Sequence, residues 1–85
     1  MSPEYYFALK PEQDGLGYFY GRFDVGDDSY RIDVLPPATL PRPFFVMANT
    51  TADPTCWIVH VNGQEIARVA TREAIEPLLA AKLAC

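Results

Sequence analysis

Apolar and polar residues alternate with a period of two through much of the first half of the chain. Phe19, Gly21, Phe23 and Val25 share one parity, and Tyr20, Arg22 and Asp24 the other. Tyr30, Ile32 and Val34 then alternate with Arg31 and Asp33. A period of two marks a half-buried strand, so Tyr18–Val25 and Tyr30–Leu35 read as two strands around Gly26-Asp27-Asp28-Ser29. Tyr5–Leu9, aromatic and aliphatic between Pro3 and Pro11, reads as a first strand. A four-residue loop in the hairpin sets Val25 opposite Tyr30, Phe23 opposite Ile32 and Gly21 opposite Val34. The other face then carries Asp24 opposite Arg31 and Arg22 opposite Asp33, with each charge pair contributing ~0.2–1 kcal/mol.

In the second half, Phe44–Ala48 reads as a buried strand and Ala52-Asp53-Pro54-Thr55 as a turn. Cys56–Val61, Asn62-Gly63 and Gln64–Val69 form the clearest local signal, because Asn-Gly supplies the two positive-φ positions of a type I′ turn. An unbroken ladder from that turn sets His60 opposite Glu65, Val59 opposite Ile66 and Trp57 opposite Arg68, the last as a cation–π contact. Thr71 is placed to cap a helix running to about Leu83, whose apolar positions Ile75, Leu78, Leu79 and Leu83 recur at helical spacing. Pro77 predicts a kink there, or a helix that starts near Pro77 itself.

Four of the eight prolines fall within residues 36–43, which read as an extended connector. No two of the four are three residues apart, so the stretch lacks the P-x-x-P pattern of an SH3 ligand. The expected architecture is α+β: an antiparallel sheet of about five to six strands built from hairpins, with one C-terminal helix on one face. It forms a single domain over residues 1–85. An acidic three-stranded part (1–35) precedes the Pro-rich connector (36–43), and a strand, the Asn-Gly hairpin and the helix follow (44–85). One helix covers one face of such a sheet, and the other face is left for solvent or a partner.

Eighty-five residues with 49% hydrophobic content suit one globular domain. The net charge of -4 is unevenly placed. Residues 1–36 carry Glu4, Glu12, Asp14, Asp24, Asp27, Asp28 and Asp33 against Lys10, Arg22 and Arg31, whereas residues 37–85 are balanced. That balance argues against direct nucleic-acid binding. No apolar run approaches the ~18 residues of a membrane span and no signal-peptide pattern opens the chain, so the expected location is the cytoplasm, with no membrane partner.

Chemistry is sparse. Cys56 and His60 lie four apart in one strand, about 13 Å at ~3.3 Å per residue, beyond the reach of a thiol and its base. A lone His60, with Cys56 and Cys85 far apart in sequence, lacks zinc-ligand spacing, and the acidic run Asp24–Asp28 lacks the order of a calcium loop. Neither an enzyme nor a cofactor is expected. The face opposite the core is different: it gathers Tyr6, Tyr18, Tyr20, Arg22, Asp24, Arg31 and Asp33, with Asp27 and Asp28 at the hairpin end. Tyrosine with arginine is the composition of interface hot spots. The expected function is therefore non-catalytic: a small acidic inhibitor that docks on a larger protein or complex and blocks its basic site. By frequency of occurrence alone this is the class of phage-encoded counter-defence (anti-CRISPR-like) proteins. A structural or assembly subunit acting as a homodimer, and a toxin-neutralising immunity protein, are the alternatives.

Overall fold

The computed structural model describes residues 4–11, 17–38, 43–44 and 50–84. Five strands form one antiparallel sheet in the spatial order β1-β2-β3-β6-β7. They are β1 (Tyr5–Pro11), β2 (Phe19–Val25), β3 (Asp28–Leu35), β6 (Trp57–Val61) and β7 (Gln64–Val69). A separate two-stranded pair joins β4 (Pro43–Phe44) to β5 (Thr50–Thr51). A 3-10 turn (Arg72–Ala74) leads into one helix, α1 (Ile75–Leu83). The chain is thus a small α+β domain, with each sheet neighbour reached by a hairpin or by the connector. Of the strand expected at Phe44–Ala48, only Phe44 falls within β4, and the rest lies outside the described residues.

The β2–β3 hairpin corrects the expected register by two residues. Phe23 faces Tyr30, Arg22 faces Arg31, Gly21 faces Ile32 and Tyr20 faces Asp33. The loop has two residues, not four, because Gly26 at φ +59° occupies the first central position of a tight turn, the place glycine takes in type II′. A shift of two preserves parity, so each side chain keeps its face while every cross-strand partner changes. The expected pairs Asp24–Arg31 and Arg22–Asp33 are replaced by ion pairs along each strand. Arg22 Nε lies 3.0 Å from Asp24 Oδ2, and Arg31 Nε 3.0 Å from Asp33 Oδ2.

The β6–β7 hairpin turns as expected through Asn62 (φ 51°) and Gly63 (φ 86°), and His60 faces Glu65. Beyond that pair a bulge intervenes, so that Val59 faces Ala67, Ile58 faces Arg68 and Trp57 faces Val69. The expected pairs Val59–Ile66 and Trp57–Arg68 are therefore not formed. The cause is in the spacing of β7 itself. Ile66 and Val69 are three apart, and both pack on the helix-side core, which a regular strand of period two cannot arrange. Asn62 also ties the turn to the sheet: its N–H donates to Arg31 O (2.8 Å) and its Oδ1 accepts from Arg31 N–H (2.8 Å).

α1 covers one sheet face. Ile75, Leu79 and Ala84 close over Phe23, Ile32, Val34, Val59 and Val61, with Phe7, Phe19, Val25, Tyr30 and Trp57 half-buried at the margins. Thr71 is extended and makes no side-chain capping bond, which corrects the expected cap. Pro77 is the third residue of α1, where the absent N–H would have had no intrahelical acceptor in any case. The opposite face is not left wholly open. Leu35, Ile58 and Ala52 form a second buried cluster with Tyr18 and Ala38 packed against it. The segment after β3 folds back over this end of the sheet, and Ala38 N–H donates to Asp53 O (3.2 Å).

Candidate functional site

Beyond that strap, the second face stays exposed across β1, β2 and β3. Three cross-strand rows define it: Tyr6–Asp24–Ser29, Ala8–Arg22–Arg31 and Lys10–Tyr20–Asp33. Tyr6 and Tyr20 are 53% and 39% exposed, a high value for large rings on a sheet. The Arg22 and Arg31 side chains are 64% and 57% exposed. Tyr6, Ala8, Lys10, Tyr20 and Arg22 line a shallow groove of about 320 Å³. The Arg22 guanidinium lies 5.2 Å from the centre of the Tyr6 ring, a cation–π contact that orients both.

Arg22 and Arg31 oppose each other directly, a like-charge placement that is unfavourable unless compensated. The compensation comes from Asp24 and Asp33, each two residues along the same strand as its arginine. Asp24 is further held by Ser29, whose Oγ donates to its Oδ1 (2.6 Å). The acids of the face are thus engaged, while its cations and rings are presented outward.

The residues expected to contact a partner accordingly separate. Tyr6, Tyr20, Arg22, Asp24 and Arg31 share the exposed strip, and Asp27 and Asp28 are exposed at the hairpin end. Asp33, at 4% exposure, is buried and cannot serve as an open contact. Tyr18 packs on the Leu35–Ile58 cluster under the strap instead of joining the strip. Lys10 and Ala8 belong to the groove. Lys10 went unselected in the sequence, although its even number in β1 gives it the parity of Tyr6.

Between strip and strap lies His60, fully buried. Its Nδ1–H donates to the Asp33 carbonyl (3.2 Å), an acceptor that fixes the proton on Nδ1. Burial holds its pKa below the ordinary value, while the Asp33 hydrogen bond and the nearby Glu65 and Asp33 carboxylates oppose the shift. Glu65 faces His60 in register, but its carboxylate is engaged by Arg68 at 3.1 and 3.2 Å. Arg68 Nη1 also reaches Asp53 Oδ2 (3.0 Å), which pins the strap to β7. Asp53 Oδ1 in turn accepts from the N–H and Oγ1 of Thr55, both at 2.8 Å, and these bonds, with Arg68 after them, hold its pKa low.

A second concavity, about 610 Å³, lies between β1 and the start of α1, with Phe7, Leu9 and Ile75 beneath Arg72, Glu73 and Glu76. Nearby, Tyr5 stacks on Phe23 at 4.7 Å and donates its OH to Glu76 Oε2 (2.8 Å), which raises the Tyr5 pKa. Cys56 is a free, half-buried thiol 3.4 Å from Thr55 Oγ1, and Cys85 lies outside the described residues. Among the described residues no three of His, Cys, Asp and Glu converge as a metal site. Nor is any helix among them long and apolar enough to cross a membrane. Comparison with protein-family models finds no match, and comparisons with curated proteins and with solved structures likewise return none.

Proposed function

We propose that this chain is a non-catalytic protein-binding domain, an inhibitor that docks on a larger partner through the uncovered face of β1–β3. The observation that carries this reading is the strip itself. Two exposed tyrosines and two exposed arginines lie in adjacent rows of one sheet face, and Tyr6, Tyr20 and Arg22 line a groove there. Tyrosine supplies large contact area with few rotors, and arginine supplies planar donors, the two residue types that dominate interface energetics. The acidic hairpin end, Asp27-Asp28, projects beside the strip and is suited to meet the rim of a basic site on that partner. The cytoplasm is the compartment this reading assigns, since a half-buried free thiol such as Cys56 suits a reducing environment.

Capture from the native host lysate, followed by mass spectrometry, tests the reading when run with variants. Tyr20→Ala, and separately Asp27→Lys with Asp28→Lys, should each reduce recovery of the captured protein while circular dichroism stays unchanged. Undiminished recovery with both would place the contact elsewhere.

A homodimer is the second reading, favoured by one feature: β1 lies at the edge of the sheet and pairs only with β2 among the described strands. An open edge of seven residues is a template for a second copy. Sedimentation at micromolar concentration decides this, because a strict monomer removes it.

A further inference from the structure

We propose that β1 pairs antiparallel with β1 of a second copy of this chain in one register, centred on Phe7, so that two five-stranded sheets join into one. This rests on the homodimer reading above, and it names the register and its effect on the tyrosine face.

The two edges of the sheet differ. β7 is bulged, Glu65 and Arg68 are exposed along it, and Arg68 is tied to Asp53 of the strap. Bulges and charged side chains are the means by which an edge strand resists pairing. β1 has neither guard. It pairs with β2 in unbroken register over its seven residues and holds one charged side chain, Lys10.

The sequence of β1 selects a second copy as the occupant. Antiparallel pairing about Phe7 sets Glu4 opposite Lys10, Tyr5 opposite Leu9, Tyr6 opposite Ala8 and Phe7 opposite itself, with each partner drawn from the other copy. Glu4 and Lys10 are both exposed, and among the described residues neither takes part in an ion pair within its own chain. The two-fold axis uses both of them twice, as opposite charges across the seam. A centre one residue to either side leaves Lys10 with no carboxylate opposite it. Pro3 and Pro11 stand four residues to either side of Phe7 in the sequence. The run between them, every residue of which has an N–H to donate, is therefore symmetric about Phe7 as well.

Parity keeps the faces in step across the seam. On the helix side, the exposed Tyr5 and the half-buried Phe7 and Leu9 cover their counterparts, beside the concavity that Phe7 and Leu9 line. On the other side, Tyr6, Ala8 and Lys10 carry the groove of each copy to the seam, so the docking strip runs continuously over both copies.

Sedimentation equilibrium of the full chain, at low ionic strength and micromolar concentrations, tests the register with charge-swap variants. The unaltered chain should dimerise. Glu4→Lys or Lys10→Glu alone should weaken the dimer about tenfold, because each sets two like-charge pairs in place of two opposite ones. Glu4→Lys combined with Lys10→Glu should restore it. A monomer throughout overturns the homodimer reading and the register together. A dimer that the single variants leave intact, or that the double variant does not restore, keeps the homodimer reading and overturns the register.

Discussion

His60 shows how a single residue couples the sheet to pH. Its folded-state pKa lies below the ordinary 6.5, chiefly because burial disfavours the imidazolium. The unfolded chain therefore binds a proton near pH 6.5 that the folded chain refuses, and the native state binds fewer protons below that point. Stability should be greatest above about pH 6.5 and fall as the pH drops below it, levelling only under the native pKa. Urea midpoints between pH 5.5 and 7.5 check this, with His60→Leu flattening the profile. A midpoint that rises on acidification would mean that Asp33, Glu65 and the carbonyl outweigh burial. Two glycines make a further contrast. A Cβ at Gly21 would meet Ala8 O at 1.8 Å, a backbone clash that β1 must yield to, whereas one at Gly26 meets nothing within 4 Å and suffers only from φ +59°. Gly26→Ala should cost about 1–2 kcal/mol, and Gly21→Ala more than that, with loss of protection confined to β1 in hydrogen exchange. The alternation places Gly21 inside a strand and Gly26 in a turn, but the close approach of the Ala8 carbonyl to Gly21 is a contact with another strand that the sequence does not carry.

At the scale of elements, the sequence was informative where one local interaction decides and silent where two compete. Asn62-Gly63 fixed its turn because no other dipeptide there satisfies two positive φ values. Gly26-Asp27-Asp28-Ser29 allowed two loop lengths of equal parity, and opposite-charge pairing favoured the longer one. The structure takes the shorter loop, and Asp24 and Asp33 reach along their own strands to Arg22 and Arg31 instead. The β7 bulge did leave a trace, in apolar Ile66 and Val69 and in charged Glu65 and Arg68, both spaced three apart. Pro77 offers a direct test of element boundaries. At the third position of α1 it interrupts no hydrogen bond, so Pro77→Ala should change stability by less than about 1 kcal/mol. A gain near 3 kcal/mol by thermal denaturation would put Pro77 in a helix interior.

At the scale of the molecule, the sheet's two faces are covered by different means, and this explains which parts of the strip could be read in advance. Parity alone assigned Tyr6, Tyr20, Arg22 and Arg31 to one face, and a register error of two left that assignment intact. Tyr18 and Asp33 share the parity but not the exposure: Tyr18 packs on the cluster under the strap, and Asp33 is buried opposite His60 with its carboxylate on Arg31, contacts that alternation does not encode. Among the described residues the helix-side core and the strap-side cluster meet through the sheet, from adjacent residues of β6: Val59 belongs to one and Ile58 to the other. Truncating either should cost about 2–5 kcal/mol for Ile58→Ala and somewhat less for the smaller Val59→Ala. Their local consequences should differ more than their totals. Ile58→Ala removes the floor beneath Ala52 and Ala38, so the Ala38 amide, bonded to Asp53 O, should exchange faster while the amides of α1 keep their protection. Val59→Ala lies under Ile75 and Leu79 and should have the reverse effect, loosening α1 and sparing the strap. If both variants expose the same amides, the two faces open as one unit. The strap would then be part of the main core, and the tyrosine–arginine strip would lose its independently anchored border.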